Sequence, residues 1–61
     1  MTKVEALKSV LNGSAKFIED EHITEDYWLH TYLYEGQKFT VNIFTLNKEV
    51  DDEPENIEFI N

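Results

Sequence analysis

Tyr27-Trp28-Leu29-His30-Thr31-Tyr32-Leu33-Tyr34, then Glu35-Gly36-Gln37, then Lys38-Phe39-Thr40-Val41-Asn42-Ile43-Phe44-Thr45-Leu46 is the stretch that decides the fold. Side chains alternate across an extended strand, so Tyr27, Leu29, Thr31 and Leu33 share one face and Trp28, His30, Tyr32 and Tyr34 the other. In the second run Phe39, Val41, Ile43 and Thr45 oppose Thr40, Asn42, Phe44 and Leu46. Aromatic and β-branched residues suit a pleated surface, and Gly36 can take the positive φ that closes a short loop. The pattern predicts a hairpin with strands over 27–34 and 38–46. Both strands carry bulky groups on both faces, which predicts that the second face is at least partly covered as well. A single helix covers one, leaving the second for the C-terminal segment or another chain.

Upstream, Thr2 and Glu5 have the spacing of a capping box, in which each side chain satisfies an orphan amide at a helix start. A helix is expected over about 3–12, with Val4, Leu7, Val10 and Leu11 on its apolar side beside Ala6. Lys3, Glu5, Lys8 and Ser9 are expected on its polar side, and Asn12-Gly13 ends it. From Ala15 the period changes: Ala15, Phe17 and Glu19 alternate with Lys16, Ile18 and Asp20, predicting a strand over about 15–23 before the polar Thr24-Glu25-Asp26 turn. Downstream, 47–56 reads as an acidic loop containing Pro54. Ile57, Phe59 and Ile60 can supply an edge strand over 57–60. The expected architecture is α+β: one N-terminal amphipathic helix packed on a small antiparallel sheet of three strands, or four if the last segment joins, in a single small domain over 1–61.

Sixty-one residues make a thin core, and natural domains of this size usually add disulfides, a metal or a partner subunit. With no cysteine, oligomerisation or a bound partner becomes the expected supplement. Thirteen acidic residues face five lysines and no arginine, for a formal net charge of −8. That balance weighs against direct binding of nucleic acid or of an anionic membrane, both of which are gripped through Lys and Arg. Met1-Thr2-Lys3-Val4 runs straight into the helical pattern without a signal-type apolar segment, and no apolar run approaches the ~20 residues of a bilayer span, so a cytoplasmic protein is expected.

The residues offer little for catalysis. There is no Cys nucleophile, no Gly-rich phosphate loop and no motif joining a nucleophile to a His and an acid, so no catalytic residue, cofactor or metal site is expected. Ser9 and Ser14 read as helix surface and exit residues. His30, among aromatics, reads as a partly exposed strand residue. Glu19-Asp20-Glu21-His22 places an imidazole among carboxylates, but alternation lets only Glu19 with Glu21, or Asp20 with His22, share a face. Asp51-Asp52-Glu53-Pro54-Glu55 lacks the ligand spacing and Gly of a calcium loop.

The acids cluster in two regions, five between Glu19 and Asp26 and six between Glu49 and Glu58. Brought together they would make an anionic surface that attracts a basic partner. In size, acidity and lack of Arg, Cys or catalytic motif the chain is similar to the small accessory proteins of phages and mobile elements. Several of those inhibit host enzymes by binding them; the resemblance is compositional and carries no site residues across. The leading expectation is a small acidic protein-binding regulator or inhibitor. Trp28, Tyr32, Tyr34 and Phe44 are its expected apolar anchors, and Glu19, Glu21, Asp51, Asp52 and Glu53 its steering charges. A self-associating module that forms a homodimer through its sheet is the alternative. A small-ligand or metal binder using His22 and His30 is a lesser one.

Overall fold

The computed structural model describes residues 1–43 and 54–60. Helix α1 spans Lys3–Leu11 and is followed by strands β1 (Lys16–Thr24), β2 (Tyr27–Tyr34) and β3 (Gln37–Ile43). A single turn of 3-10 helix at Pro54–Asn56 leads into β4 (Ile57–Ile60). The strands form one antiparallel sheet in the order β1-β2-β3-β4, with α1 packed on one side. The fold is therefore α+β with a single N-terminal helix, and the terminal apolar segment is the fourth strand. The expected strand end at 44–46 and the loop at 47–53 lie outside the described residues.

The strand register sorts the side chains into rows that cross the sheet. On the helix side, Phe17, Tyr32, Phe39 and Phe59 form one row, Asp20, His30, Val41 and Ile57 the next, and His22, Trp28 and Ile43 a third. The open side carries Lys16, Leu33, Lys38 and Ile60, then Glu19, Thr31, Thr40 and Glu58, then Glu21, Leu29 and Asn42. Phe39, Val41, Ile43 and Ile57 are fully buried and close on Ala6 and Leu7 of the helix. A nine-residue helix does not persist alone in water, so this contact holds it in place.

Three local expectations are corrected. The helix start is the capping box read from Thr2 and Glu5, with Glu5 N donating to Thr2 Oγ1 at 3.2 Å and Thr2 N to Glu5 Oε1 at 3.1 Å. Its buried stripe, however, is Ala6, Leu7 and Ser9, while Val4 and Leu11 are exposed. Ser9 is inside because its hydroxyl donates to Ala6 O at 2.6 Å, so the polar group is satisfied within the helix. Small side chains at 6 and 9 then let the helix sit close to the sheet.

The β2–β3 turn is tighter than the expected loop. Gln37 belongs to β3 and pairs with Tyr34, leaving Glu35 and Gly36 as a two-residue turn with φ of 50° and 79°. Positive φ at both positions matches the twist of the flanking strands. In β1 simple alternation fails, because Phe17 faces Tyr32 while Glu19 faces Thr31, leaving Ile18 as an extra residue. A second irregularity falls at Ile23, between His22 and Thr24. These are β-bulges, each of which resets which face the following residues take.

Among the described residues no helix or strand packs over the Leu29–Leu33 side, although Leu29 and Leu33 are themselves partly buried, and residues 44–53 of the C-terminal segment expected there lie outside the described residues. Thr31, Thr40, Asn42, Lys38 and Glu58 there are polar enough to face water, and Tyr27 donates its hydroxyl to Asn42 Oδ1 at 3.1 Å across it. The bulk read from β2 on both faces is balanced by polar neighbours from β1, β3 and β4.

Candidate functional site

Phe17, Tyr32, Phe39 and Phe59 run as an aromatic row from one edge of the sheet to the other. Phe17 meets Tyr32 edge-on with ring centres 5.7 Å apart, Tyr32 lies at 5.9 Å and 22° to Phe39, and Phe39 meets Phe59 edge-on at 6.3 Å. Offset and edge-to-face pairs of this kind contribute about 0.5–1.5 kcal/mol each beyond the area they bury. The helix sits toward β4, the 3-10 turn and β2, so cover falls off along the row. Phe39 is fully buried, Tyr32 half-buried and Phe17 50% exposed.

Beside Phe17 the same half of the face holds His30, whose ring lies edge-on to Phe17 at 5.4 Å, and the pair His22 and Trp28, stacked 3.9 Å apart and within 3° of parallel. Ile18 and Ile23, at the bulges, add exposed apolar surface at this edge. The result is an aromatic shelf over β1 and β2, continuous with the core at one end and open to solvent at the other. Trp28, Tyr32 and Tyr34 all belong to this face and pack in part against the core. Phe44 lies outside the described residues. Phe17 and His22 complete the shelf and were not among the expected anchors, because the bulge at Ile18 hides their shared face from a period of 2. The adjacent apolar pair Phe17-Ile18, which breaks alternation, is the signal that marks the bulge in the sequence.

The acids divide between the faces. Asp20 is placed on the aromatic side by its register with His30, and Glu25 and Asp26 sit in the adjoining turn. Glu19 and Glu21 project from the opposite side, level with Thr31 and Leu29. Glu58 joins Glu19 in one row, three strand spacings or about 14 Å away. The two acidic segments thus contribute to one face through Glu19, Glu21 and Glu58, whereas Asp51, Asp52 and Glu53 lie outside the described residues. Near the β2–β3 turn the open side has a depression of about 480 Å³ lined by Leu33, Gly36, Gln37, Lys38 and Ile60. Gln37 Nε2 donates to Lys38 O at 2.8 Å and to Ile60 O at 3.0 Å, tying β3 to β4 at this end of the sheet.

Three titratable groups of the described residues are shifted, one by burial and two chiefly by hydrogen bonds. Burial pushes the Tyr32 phenol up from its ordinary value, and the Glu35 carboxylate, as hydrogen-bond acceptor and as charge, does the same to Tyr34. The Thr2 amide and hydroxyl hold the Glu5 carboxyl below its ordinary value. Ser9 spends its hydroxyl on a backbone carbonyl. Among the described residues no three His, Asp or Glu side chains converge as a metal site, and no helix is long and apolar enough to cross a membrane.

No known protein family, curated protein or solved structure matches the chain.

Proposed function

We propose that the chain is a non-catalytic regulator that acts by binding another protein through the aromatic shelf of β1 and β2. The observation that carries this reading is Phe17: a large aromatic at the end of a packed aromatic row, half exposed, against His30 and on the same face as the stacked His22–Trp28 pair two rows away. Rigid aromatics backed by a core are the groups in which interface energy concentrates, since little conformational entropy remains to be lost on docking. Asp20, Glu25 and Asp26 border the shelf, and the chain carries a net charge of −8. The matching partner therefore presents an apolar groove or patch rimmed by Lys or Arg, and charge speeds the encounter while the aromatics hold the complex.

The test is capture by the immobilised protein at low and high salt, run in parallel with Phe17→Ala. Phe17 is suited to this because its exposed half contributes little to the core. A partner retained by the wild type at high salt and lost with Phe17→Ala supports the reading. Identical captured sets for the two proteins, with both folded by circular dichroism, would overturn it.

A further inference from the structure

We infer that the open face of the sheet is a docking surface for a second copy of this chain, packed face to face about a two-fold axis. This goes beyond the hetero-partner reading and uses the opposite side of the sheet.

The first argument is charge. The open face carries Lys16 and Lys38 against Glu19, Glu21 and Glu58, a net of −1 on a chain whose total is −8. Among the described residues this face brings little of the chain's net charge against a second copy of itself. The second is the order of the rows. Lys16 and Lys38 stand in one row and Glu19 and Glu58 in the next, two ladder positions along the strands. A two-fold axis running across the strands between those rows reverses strand direction and lays each row on the other. Lys16 then meets Glu19 of the second copy, and Glu19 meets its Lys16, so every such contact occurs twice. Lys38 falls on Thr40 of the second copy, one strand spacing from that copy's Glu58. Sheets packed face to face keep their strands within about 30° of alignment, which preserves this pairing.

The third argument is shape. The same rotation carries Leu29 of the second copy toward the turn end of the depression lined by Leu33, Gly36, Gln37, Lys38 and Ile60, where Leu33 and Ile60 offer apolar contact beside the polar Gln37 and Lys38. The opposite choice, pairing through the free edge of β1, sets Glu19, Asp20 and Glu21 against themselves and is interrupted by the bulges at Ile18 and Ile23. Four strands at standard spacing give a face about 19 Å wide and 20 Å long, so two copies bury about 800 Å² together, in the range of weak pairs. Self-association is thus expected at about 100 μM or above, not at nanomolar concentrations.

Sedimentation equilibrium over a concentration series to about 1 mM tests this. The wild type is expected to shift from monomer to dimer. Lys16→Glu should weaken the dimer at least about tenfold, and the double reversal Lys16→Glu with Glu19→Lys should restore it, because the axis swaps the two positions. Lys8→Glu, on the exposed side of the helix, changes net charge identically and should leave association as it was. A wild type that stays monomeric throughout, a double reversal no better than the single one, or a Lys8→Glu loss equal to that of Lys16→Glu would each overturn the inference. Loss of partner capture with Phe17→Ala while the dimer persists would show that the two faces act separately.

Discussion

Phe17 and His22 are five positions apart on one strand and yet project from the same face, Phe17 onto Tyr32 and His22 onto Trp28. An odd separation puts two side chains on opposite faces of a regular strand. Ile18, the extra residue opposite β2, reverses the parity between them and so assembles the aromatic shelf. Deleting Ile18 would leave every other residue with the partner it has now, since Phe17 already faces Tyr32 and Glu19 already faces Thr31. The deletion variant should fold, with a stability change within about 1 kcal/mol, or roughly 4–8 °C for a domain this small. Thermal melting with near-UV circular dichroism checks it, and loss of the aromatic signal would show that the bulge itself holds the row together.

The Glu35-Gly36 turn gives a prediction of opposite sign. Glu35 sits at φ 50°, a region that costs a residue with a Cβ about 1–2 kcal/mol and that Asn tolerates better. Glu35→Asn should therefore stabilise the fold by about 0.5–1 kcal/mol. It also removes the carboxylate that pushes the Tyr34 phenol up, so ultraviolet titration should show one tyrosine ionising at lower pH than in the wild type. A lower melting temperature would mean that the carboxylate at Tyr34 outweighs the backbone strain.

Much of this architecture is legible in the sequence, and the parts that are not have identifiable physical causes. Alternation in Tyr27–Tyr34 and the Thr2 and Glu5 spacing give the hairpin and the helix start, because each depends only on neighbours in the chain. The buried face of α1 is less legible, since a serine is ordinarily read as polar surface, and only the sheet beneath it shows that Ala6 and Ser9 provide the close approach. In β1 a bulge leaves no residue-type signature beyond Phe17-Ile18, and the strand's faces follow from pairing with β2. For the candidate site, Trp28, Tyr32 and Tyr34 were visible as aromatics on one face. Their unequal exposure was not, because it depends on where the helix settles.

Ser9 tests that account of the helix. Its hydroxyl bonds a carbonyl within its own helix, so Ser9→Ala removes donor and desolvation cost together and should change stability by less than about 1 kcal/mol. Ser9→Leu keeps helix propensity but adds volume where the side chain is only 2% exposed, and should cost about 1–3 kcal/mol. Urea denaturation of both variants decides it. Equal stability of Ser9→Leu and Ser9→Ala would mean that the helix can lift from the sheet without loss.

The pH dependence of stability should fall away at both ends for different reasons. Tyr32 and Tyr34 have folded pKa values above the ordinary one, the first through burial and the second through Glu35. A group shifted in that direction contributes stability that is intact below the unfolded value, about 10, and is lost as pH rises through the folded value. Glu5, held below its ordinary value by Thr2, works the other way: its contribution is present above the ordinary carboxylate value and is lost as pH falls through the folded one. The urea midpoint of the wild type should therefore hold between neutrality and about pH 9 and fall beyond about pH 10. Tyr32→Phe removes the ionising phenol from the half-buried site, so its alkaline fall should be shallower. Glu5→Gln retains a side chain that can complete the capping box, so it should flatten the acid side while leaving the alkaline side unchanged. An alkaline fall of the same steepness in Tyr32→Phe would assign the loss to repulsion among the acidic side chains and the remaining tyrosines, with no part played by the aromatic row.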